Sequence, residues 1–268
     1  MFGRVIVLVA LVLAVAPAAA SGQERIRVLT WNVQGGTAGD GREPNMETLA
    51  QVLAETLPDV VGLQEVCRQT VNRPQFRQML ASMGYSRAVH ARGTTAQVLP
   101  RGGEDKFSCA YGTALFVRGR IGAVEKRELR PRDANGGRPE RRYVACADSL
   151  VGNRRFWFCN THVARRQDRD SAGNPVTQRQ IESLADITRR RNGPVVLVGD
   201  LNRRPQRDSP LARQFDEIDQ RNRPTHGDAK LDYILYTPRE LRRASVAFLD
   251  PDIVDTDHRG MLGTLRFK

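Results

Sequence analysis

Lysine and aromatic residues are scarce in this sequence of 268 residues. Only four of its 42 basic residues are lysine, namely Lys106, Lys126, Lys230 and Lys268. The net charge of +12 favours a polyanionic partner, although GC-rich coding would also produce so lopsided a ratio. No strand face is rich in aromatic residues, so base stacking and strong sequence specificity are not expected.

The sequence also lacks an internal repeat, a low-complexity segment and a domain linker. These absences favour one domain over residues 21–268, with two smaller domains as the alternative. The apolar run at residues 5–15 is too short to span a bilayer comfortably. It follows a basic start and precedes Ala18-Ala19-Ala20, so residues 1–20 are predicted to be a secretory signal peptide. The mature protein would then be secreted, periplasmic or extracellular without stable membrane insertion, and an uncleaved anchor is the alternative.

Four cysteines in an exported chain suggest two disulfides. Residues 143–150 and 155–161 are predicted to be strands joined at Gly152-Asn153. If those two residues form the hairpin turn, Cys146 lies opposite Cys159, because both are equally far from it. Cys67 is then left to pair with Cys109, and buried free thiols are the alternative.

The most informative stretch is residues 195–202. Its first four residues are apolar without alternation, which is typical of a strand buried on both faces. Gly199, Asp200 and Asn202 follow, where the strand opens into a loop. If the extended backbone continues, Asp200 and Asn202 point to one side and could hold a metal, a phosphate or a water. An ordinary Asp/Asn turn is the alternative.

Hydrophobic periodicity predicts the other elements. Strands are expected near residues 26–32, 59–65, 85–90, 109–117, 120–129, 231–236, 244–249 and 261–267. Helices are expected near residues 45–57, 74–83, 175–191 and 209–218. Segments 93–106 and 130–142 are predicted to be basic surface loops that could contact a polyanion backbone. For the second segment, a solvated hairpin tip is the alternative.

Polar residues with metal- or phosphate-binding chemistry recur at one end of these strands. Strands end at Asn32, Glu65, His162, Asp200 and Asn202. Oppositely running strands begin at or after Asp232, Asp257 and His258. Each alone could be a turn residue, a surface charge or a hydrogen-bonded histidine. Together they predict one site at one edge of a sheet sandwich.

The motifs around these residues resemble the endonuclease/exonuclease/phosphatase superfamily, the metal-dependent phosphoesterases that include pancreatic-type deoxyribonuclease. The matching stretches are Thr30-Trp31-Asn32, Leu63-Gln64-Glu65, Tyr111-Gly112-Thr113-Ala114, Asn160-Thr161-His162, Gly199-Asp200-Leu201-Asn202, Leu231-Asp232-Tyr233-Ile234 and Thr256-Asp257-His258. They occur in the family's order across the mature chain. Residues 199–205 also resemble, less closely, the nuclease subunit of cytolethal distending toxins.

The resemblance implies an α/β (α+β) fold with four layers, in which two mostly antiparallel β-sheets pack face to face with helices outside. It also implies metal-binding carboxylates at Glu65 and Asp257, with the amide of Asn32 beside them. Mg²⁺ is the expected cofactor because it takes hard oxygen ligands and keeps several waters. Mn²⁺ and Ca²⁺ are alternatives, whereas zinc would normally require more histidine or cysteine ligands.

Catalytic roles follow from the same resemblance. His258 matches the catalytic histidine and Asp232 matches its carboxylate partner. Asp200 and Asn202 match the pair that positions the attacking water and the phosphate, and His162 matches a second histidine on the phosphate.

Arginines complete the set of predicted phosphate ligands. Arg141 or Arg142 stands where many relatives carry a phosphate-binding arginine, and Arg203 is a further candidate. The residues alone do not decide between the first two.

The leading hypothesis is therefore a secreted, monomeric, Mg²⁺-dependent phosphodiesterase that hydrolyses nucleic acid, foremost as a DNA endonuclease of low specificity. A phosphoesterase acting on phospholipid or inositol phosphate is the alternative. The sequence lacks an obvious apolar hairpin for docking on a membrane, which disfavours a sphingomyelinase. A third hypothesis is a binding module that kept this fold without its chemistry.

Overall fold

The computed structural model describes residues 24–33, 44–86, 88–98, 106–132 and 141–268, with residues 96–98 described by their backbone only. The predicted signal peptide lies outside the described residues, as do the middle parts of the two predicted basic loops. No helix in the described part of the chain is long and apolar enough to cross a membrane.

Strands form most of the regular structure, and helices are few. The strands are β1 (Arg25–Asn32), β2 (Val60–Cys67), β3 (Val89–Val98), β4 (Phe107–Val117), β5 (Arg120–Leu129), β6 (Arg142–Val151), β7 (Arg154–His162), β8 (Val195–Asp200), β9 (Asp216–Glu217), β10 (Asp232–Tyr236), β11 (Leu241–Leu249) and β12 (Gly260–Phe267). The α-helices are α1 (Met46–Thr56), α2 (Arg68–Val71), α3 (Pro74–Ser82), α4 (Thr177–Arg189) and α5 (Pro210–Gln214), and a short 3₁₀ helix covers Pro251–Ile253.

Over the described residues the strands form two sheets of six, in the orders β11-β12-β1-β2-β4-β3 and β5-β6-β7-β8-β10-β9. Each sheet contains one parallel pair, β1–β2 in the first and β7–β8 in the second. The other pairs are antiparallel, so the prediction of two mostly antiparallel sheets is confirmed. Helices α1 and α4 lie in the two connections between parallel strands, which need a crossover of this kind.

Alternating side chains divide each sheet between two hydrophobic layers. Val28 packs between the sheets, whereas its neighbour Leu29 faces the outer layer of α1 and α3. In the same way Val196 packs between the sheets, and Leu197 joins the outer layer of α4 and α5. The apolar run before Asp200 is thus unbroken because both faces of β8 are covered. The predicted four-layer arrangement is confirmed.

Two predicted segments have a different structure. Gly93 to Val98 were predicted to be loop, but they belong to β3, and Thr94 to Val98 pair with β4. Threonine favours strands, and the glycine that suggested a loop lies where the register shifts between Arg92 and Thr94. The helix predicted at residues 209–218 is shorter than expected and covers only α5. It ends because the backbone of Phe215 is extended, and the next two residues form β9, which pairs with β10.

Both predicted disulfides are present. Cys146 lies directly opposite Cys159 in the β6–β7 hairpin, with 4.0 Å between the Cα atoms. Cys67 and Cys109 join β2 to β4 with a Cα separation of 5.5 Å. The first bond crosses one hairpin, whereas the second joins the end of β2 to the start of β4 beside Tyr111.

Candidate active site

The carboxyl ends of the two parallel strand pairs meet at one rim of the sandwich. Asn32 ends β1 and Glu65 lies near the end of β2, while His162 and Asp200 end β7 and β8. Ligand sites in α/β sheets commonly lie outside the carboxyl ends of such strands. Asp232 begins the antiparallel strand β10 and pairs with Asp200, so it reaches the same rim as predicted from its strand's direction.

Hydrogen bonds at this rim connect the two sheets. Asn32 Nδ2 donates to Glu65 Oε1 and to Asp200 Oδ2, each over 3.1 Å. His162 Nε2 lies 3.5 Å from Asp200 Oδ2 and 3.8 Å from Glu65 Oε1. Asp200 Oδ2 is therefore shared by groups from both sheets.

Glu65 reaches the rim through an irregularity of the backbone. Its φ of 56° is left-handed, and the pairing of β2 with β4 shifts register between Leu63 and Val66. A bulge of this kind redirects a side chain, and such strain is common at functional sites. Tyr111 Oη donates to Glu65 Oε2, a role that the sequence did not predict for this tyrosine. Burial raises the pKa of Glu65, but the hydrogen bonds from Tyr111 and Asn32 and the charge of Arg142 act in the opposite direction, and the net pKa is lowered.

Asp200 and Asn202 come together in a different way from the predicted one. Strand β8 ends at Asp200, and Asn202 has a left-handed φ of 51°, so the premise of a continuing extended backbone is wrong. Instead the backbone N–H of Asn202 donates to Asp200 Oδ1 over 2.7 Å, and the chain turns. Asn202 Nδ2 donates to Val163 O over 3.0 Å, which holds the amide next to the end of β7. Asparagine tolerates this backbone conformation better than most residues.

His162 is held as a neutral donor by Arg142. Both side chains are buried, and Arg142 Nη1 lies 3.1 Å from His162 Nδ1. Arginine has no acceptor, so Nδ1 must accept, and the ring proton therefore sits on Nε2. Burial and then the charge of Arg142 lower the pKa of His162 to about 3. His162 consequently presents an N–H, not a positive charge, to the space between Glu65 and Asp200.

Asp232 and His258 form the predicted carboxylate–histidine pair. His258 Nδ1 lies 2.8 Å from Oδ2 of the fully buried Asp232. His258 Nε2 faces the site, 3.9 Å from Asp200 Oδ2 and 3.7 Å from Asp257 Oδ1. Trp31 Nε1 donates to the His258 carbonyl over 2.8 Å, which fixes the backbone behind the ring.

Asp257 lies at the solvent-exposed mouth of the site. Its side chain is 44% exposed, and its two oxygens face His258 and a further histidine, His226. His226 is not among the predicted site residues, because it lies in a turn without hydrophobic periodicity. Its position six residues before Asp232 was the only signal available.

The predicted arginines occupy different environments. Arg142 is engaged with His162, whereas Arg141 is exposed at the start of β6. Both line a cleft with Gly93, Tyr111 and His162. The structure thus separates two residues that the sequence could not, and Arg203 lies in the loop after Asn202.

The oxygen donors at the rim fit a hard divalent cation. Burial, and then the charge of Asp232, raise the pKa of Asp200. Burial lowers the pKa of His258, but Asp232, Asp200 and Asp257 raise it to about 9. Without a cation these carboxylates keep His258 protonated near neutral pH. A divalent cation at this rim would offset the negative charge of these carboxylates, and carboxylate and amide oxygens suit a hard ion such as Mg²⁺.

A buried polar network lies beneath the site and links the sheets. Gln64 Nε2 donates to Asn160 Oδ1 over 2.7 Å. Asn160 Nδ2 donates to the carbonyls of Leu63 and Ala114 over 2.9 and 2.8 Å. Both amides are completely buried, so these bonds fix the register between the facing strands just below Glu65 and His162.

Comparison with known proteins agrees with this geometry. Residues 29–258 match the profile of the Endonuclease/Exonuclease/phosphatase family. A search of curated proteins finds no match. Among solved structures, an endonuclease/exonuclease/phosphatase from Beutenbergia cavernae is 22% identical with a TM-score of 0.69, covering 91% of this chain and 72% of that one. The human Nocturnin catalytic domain with bound sulfate is 19% identical with a TM-score of 0.66, covering 91% and 95%. Truncated Caenorhabditis elegans TDP2 is 16% identical with a TM-score of 0.63, covering 90% and 97%.

Proposed function

The chain belongs to the endonuclease/exonuclease/phosphatase family, whose members hydrolyse phosphodiester bonds, and we propose that it is a secreted, Mg²⁺-dependent nuclease that cleaves DNA with little sequence specificity. The observation that carries the proposal is the His258–Asp232 pair, which faces Asp200 from one side of the rim. The neutral donor His162 faces the same carboxylate from another side.

His258 acts as the general base. Asp232 accepts a hydrogen bond from the Nδ1–H of His258, so the lone pair of Nε2 points into the site. A water that hydrogen-bonds to Asp200 would lie within reach of this lone pair, because Nε2 and Asp200 Oδ2 are 3.9 Å apart. His258 removes the water's proton as the oxygen attacks phosphorus, and Asp232 stabilises the resulting imidazolium. The bond from phosphorus to the leaving sugar oxygen breaks in the same displacement, and that oxygen takes a proton from solvent. The imidazolium then returns its own proton to solvent.

His162 and Asn202 receive the phosphate. His162 contributes an uncharged Nε2–H that keeps its proton across the physiological pH range. Asn202 uses one N–H of its amide for the Val163 carbonyl and retains the second for a non-bridging oxygen. Donors fixed in advance stabilise the developing negative charge without reorganising. Arg141 adds positive charge at the edge of the cleft.

Glu65, Asp257 and Asn32 would hold the divalent cation, with Mn²⁺ or Ca²⁺ as alternatives to Mg²⁺. When bound, the cation supplies charge neutralisation on the phosphoryl oxygens. The protein's own contribution is to keep Glu65 ionised through the bonds from Tyr111 and Asn32.

Charge and cross-links support the substrate and the compartment. A net charge of +12 favours a polyanion over a small or neutral substrate. All four cysteines are paired in the structure, as expected for an exported chain. A chain acting alone as a monomer is the simplest form of this proposal.

Cleavage of supercoiled plasmid tests the proposal. The protein should nick plasmid in Mg²⁺ and stop in EDTA, and His258→Ala should lower the rate by at least ~100-fold. Exposed Asp228→Asn is the matched control, because it lies outside the site. Phosphate or phosphocholine release from lipids or inositol phosphates, without nicking of DNA, would contradict the choice of substrate.

A further inference from the structure

A second group of metal-ligating side chains lies on the solvent side of the proposed catalytic cluster. It consists of His226, Asp257 and His258, whose ligand atoms lie within 4.8 Å of one another. We propose that these three side chains bind a borderline divalent metal, Zn²⁺ foremost, and that this binding inhibits the hydrolase. The inhibition rests on the proposed function, whereas the binding does not.

The carboxylate of Asp257 lies between two imidazoles. Its Oδ2 is 3.1 Å from His226 Nε2, and its Oδ1 is 3.7 Å from His258 Nε2. Neighbouring ligand atoms around a tetrahedral zinc with bonds of about 2.0–2.1 Å are about 3.3 Å apart. These two separations involve different oxygens of Asp257, and a set with one ligand atom from each of the three residues lies within 4.8 Å. Those atoms must therefore close by up to about 1.5 Å to reach the zinc spacing, which rotation of the partly exposed side chains of His226 and Asp257 can supply.

The donor set selects against Mg²⁺. Two imidazole nitrogens and one carboxylate suit zinc and its neighbours in the transition series, whereas Mg²⁺ prefers oxygen. His258 also has the hydrogen bond that zinc-binding histidines typically make through the ring nitrogen that does not bind the metal. Its Nδ1 is paired with Asp232 over 2.8 Å, which orients the ring and raises the basicity of Nε2.

The backbone holds His226 beside His258. The two residues form an antiparallel bridge, and the Arg259 N–H donates to the Thr225 carbonyl over 2.7 Å. The Thr225 hydroxyl oxygen accepts from the Asp232 N–H over 3.0 Å, which ties the same turn to β10. The two imidazole centroids are 4.6 Å apart. The ligands are thus largely arranged before the metal arrives.

A zinc ion can reach this group of side chains from solvent, and few other ligands in the chain compete for it. The side chains of His226 and Asp257 are 40% and 44% exposed, so an ion can enter from solvent. The chain's other histidines, His90 and His162, are buried, and the four cysteines are consumed by disulfides. Few other nitrogen or sulfur ligands compete for the ion.

Zinc would inhibit the hydrolase because it would bind the Nε2 atom of His258. The lone pair of His258 Nε2 is the one that removes the proton from water in the proposed mechanism. A zinc ion bound there makes it unavailable, and it also draws Asp257 away from the Mg²⁺ site.

Calorimetric titration of the intact protein with ZnCl₂ tests the site. Wild type and the control Asp228→Asn, from the same turn, should bind one Zn²⁺ per chain. His226→Asn should bind at least ~10-fold more weakly, since losing a supporting residue alone can cost 10–100-fold. Circular dichroism checks folding, and His226→Gln replaces the variant if His226→Asn does not fold.

Three results would overturn the site. The first is no zinc binding by wild type, and the second is zinc affinity in His226→Asn equal to that of wild type. The third is loss of binding in Asp200→Asn but not in His226→Asn, which would place the ion in the buried group of Asp200, Asp232 and His258.

Plasmid nicking in Mg²⁺ with added Zn²⁺ tests the inhibition. Zinc should inhibit wild type and Asp228→Asn, and the concentration for half inhibition should rise at least 10-fold in His226→Asn. Zinc that binds in calorimetry but leaves nicking unchanged would refute the inhibition. Zinc binding by a wild type that nicks no DNA would instead refute the proposed function and leave the site standing.

Discussion

Arg142→Met tests whether one hydrogen bond fixes the tautomer of His162. Arg142 Nη1 donates to His162 Nδ1 over 3.1 Å, which keeps the ring proton on Nε2, facing Glu65 and Asp200. Methionine is also long and unbranched, but it leaves Nδ1 without its donor. In the variant both neutral tautomers become accessible, and only one of them presents a donor to the phosphate.

The expected magnitudes follow from burial and from the donor's role. A buried acceptor without its partner costs about 1–3 kcal/mol in the free energy of unfolding. Removing one preorganised donor completely lowers kcat by about 100- to 1000-fold. Because the Nε2–H tautomer remains accessible in Arg142→Met, we expect a smaller loss, about 10- to 100-fold.

Nitrogen-15 NMR of the histidine rings, together with kcat and KM on DNA, measures both effects. Arg141→Met is the matched control, since it removes the same charge from the exposed neighbouring residue. It should keep the His162 nitrogen shifts of wild type and act on KM, reducing the salt slope of binding by about 1. Wild-type nitrogen shifts and kcat in Arg142→Met would refute the reasoning.

Three further predictions concern stability. Asn160→Leu removes the buried amide that donates to the carbonyls of Leu63 and Ala114 and should cost about 2–4 kcal/mol, measured by urea unfolding; an unchanged midpoint would contradict this. Replacing both Cys146 and Cys159 with alanine removes a cross-link spanning 13 residues and should cost about 3 kcal/mol, by the same measurement under oxidising conditions. Burial lowers the pKa of His90 to about 4 from 6.5, so the unfolded state binds the extra proton. Stability should fall as pH drops from 6.5 towards 4, and His90→Gln should flatten that slope in urea titrations at several pH values.

Strand ends were the part of the site that the sequence could predict. The residue at the end of a buried strand is set by where the apolar run stops, and this is visible at Asn32, His162 and Asp200. Parallel neighbours then bring such residues to one rim without any knowledge of loops. The paired cysteines were predictable for a similar reason, because a two-residue turn fixes which residues of a hairpin are opposite.

The sequence could not predict the features of the site that depend on irregular backbone conformations. The left-handed conformations of Glu65 and Asn202 redirect both side chains, yet glutamate seldom adopts this conformation and nothing in its neighbours indicates it. Arg142 and His162 lie beyond Val144 and Thr161, the last paired residues of the β6–β7 hairpin, so the register of the hairpin alone does not predict their contact. The position of His226 depends on a β-bridge to His258, which lies 32 residues further along the chain.

Two glycines behind the site set the distance between the proposed catalytic groups. A Cβ on Gly199 would lie 2.0 Å from the Thr161 carbonyl oxygen, so only glycine lets β8 approach β7 so closely directly before Asp200. A Cβ on Gly260 would lie 2.7 Å from the Trp31 ring, whose Nε1 holds the His258 carbonyl. The carboxylate and the histidine are thus each positioned by a close contact behind them. The 3.9 Å between Asp200 and His258 is a consequence of packing, which is why the site forms only when both sheets are assembled.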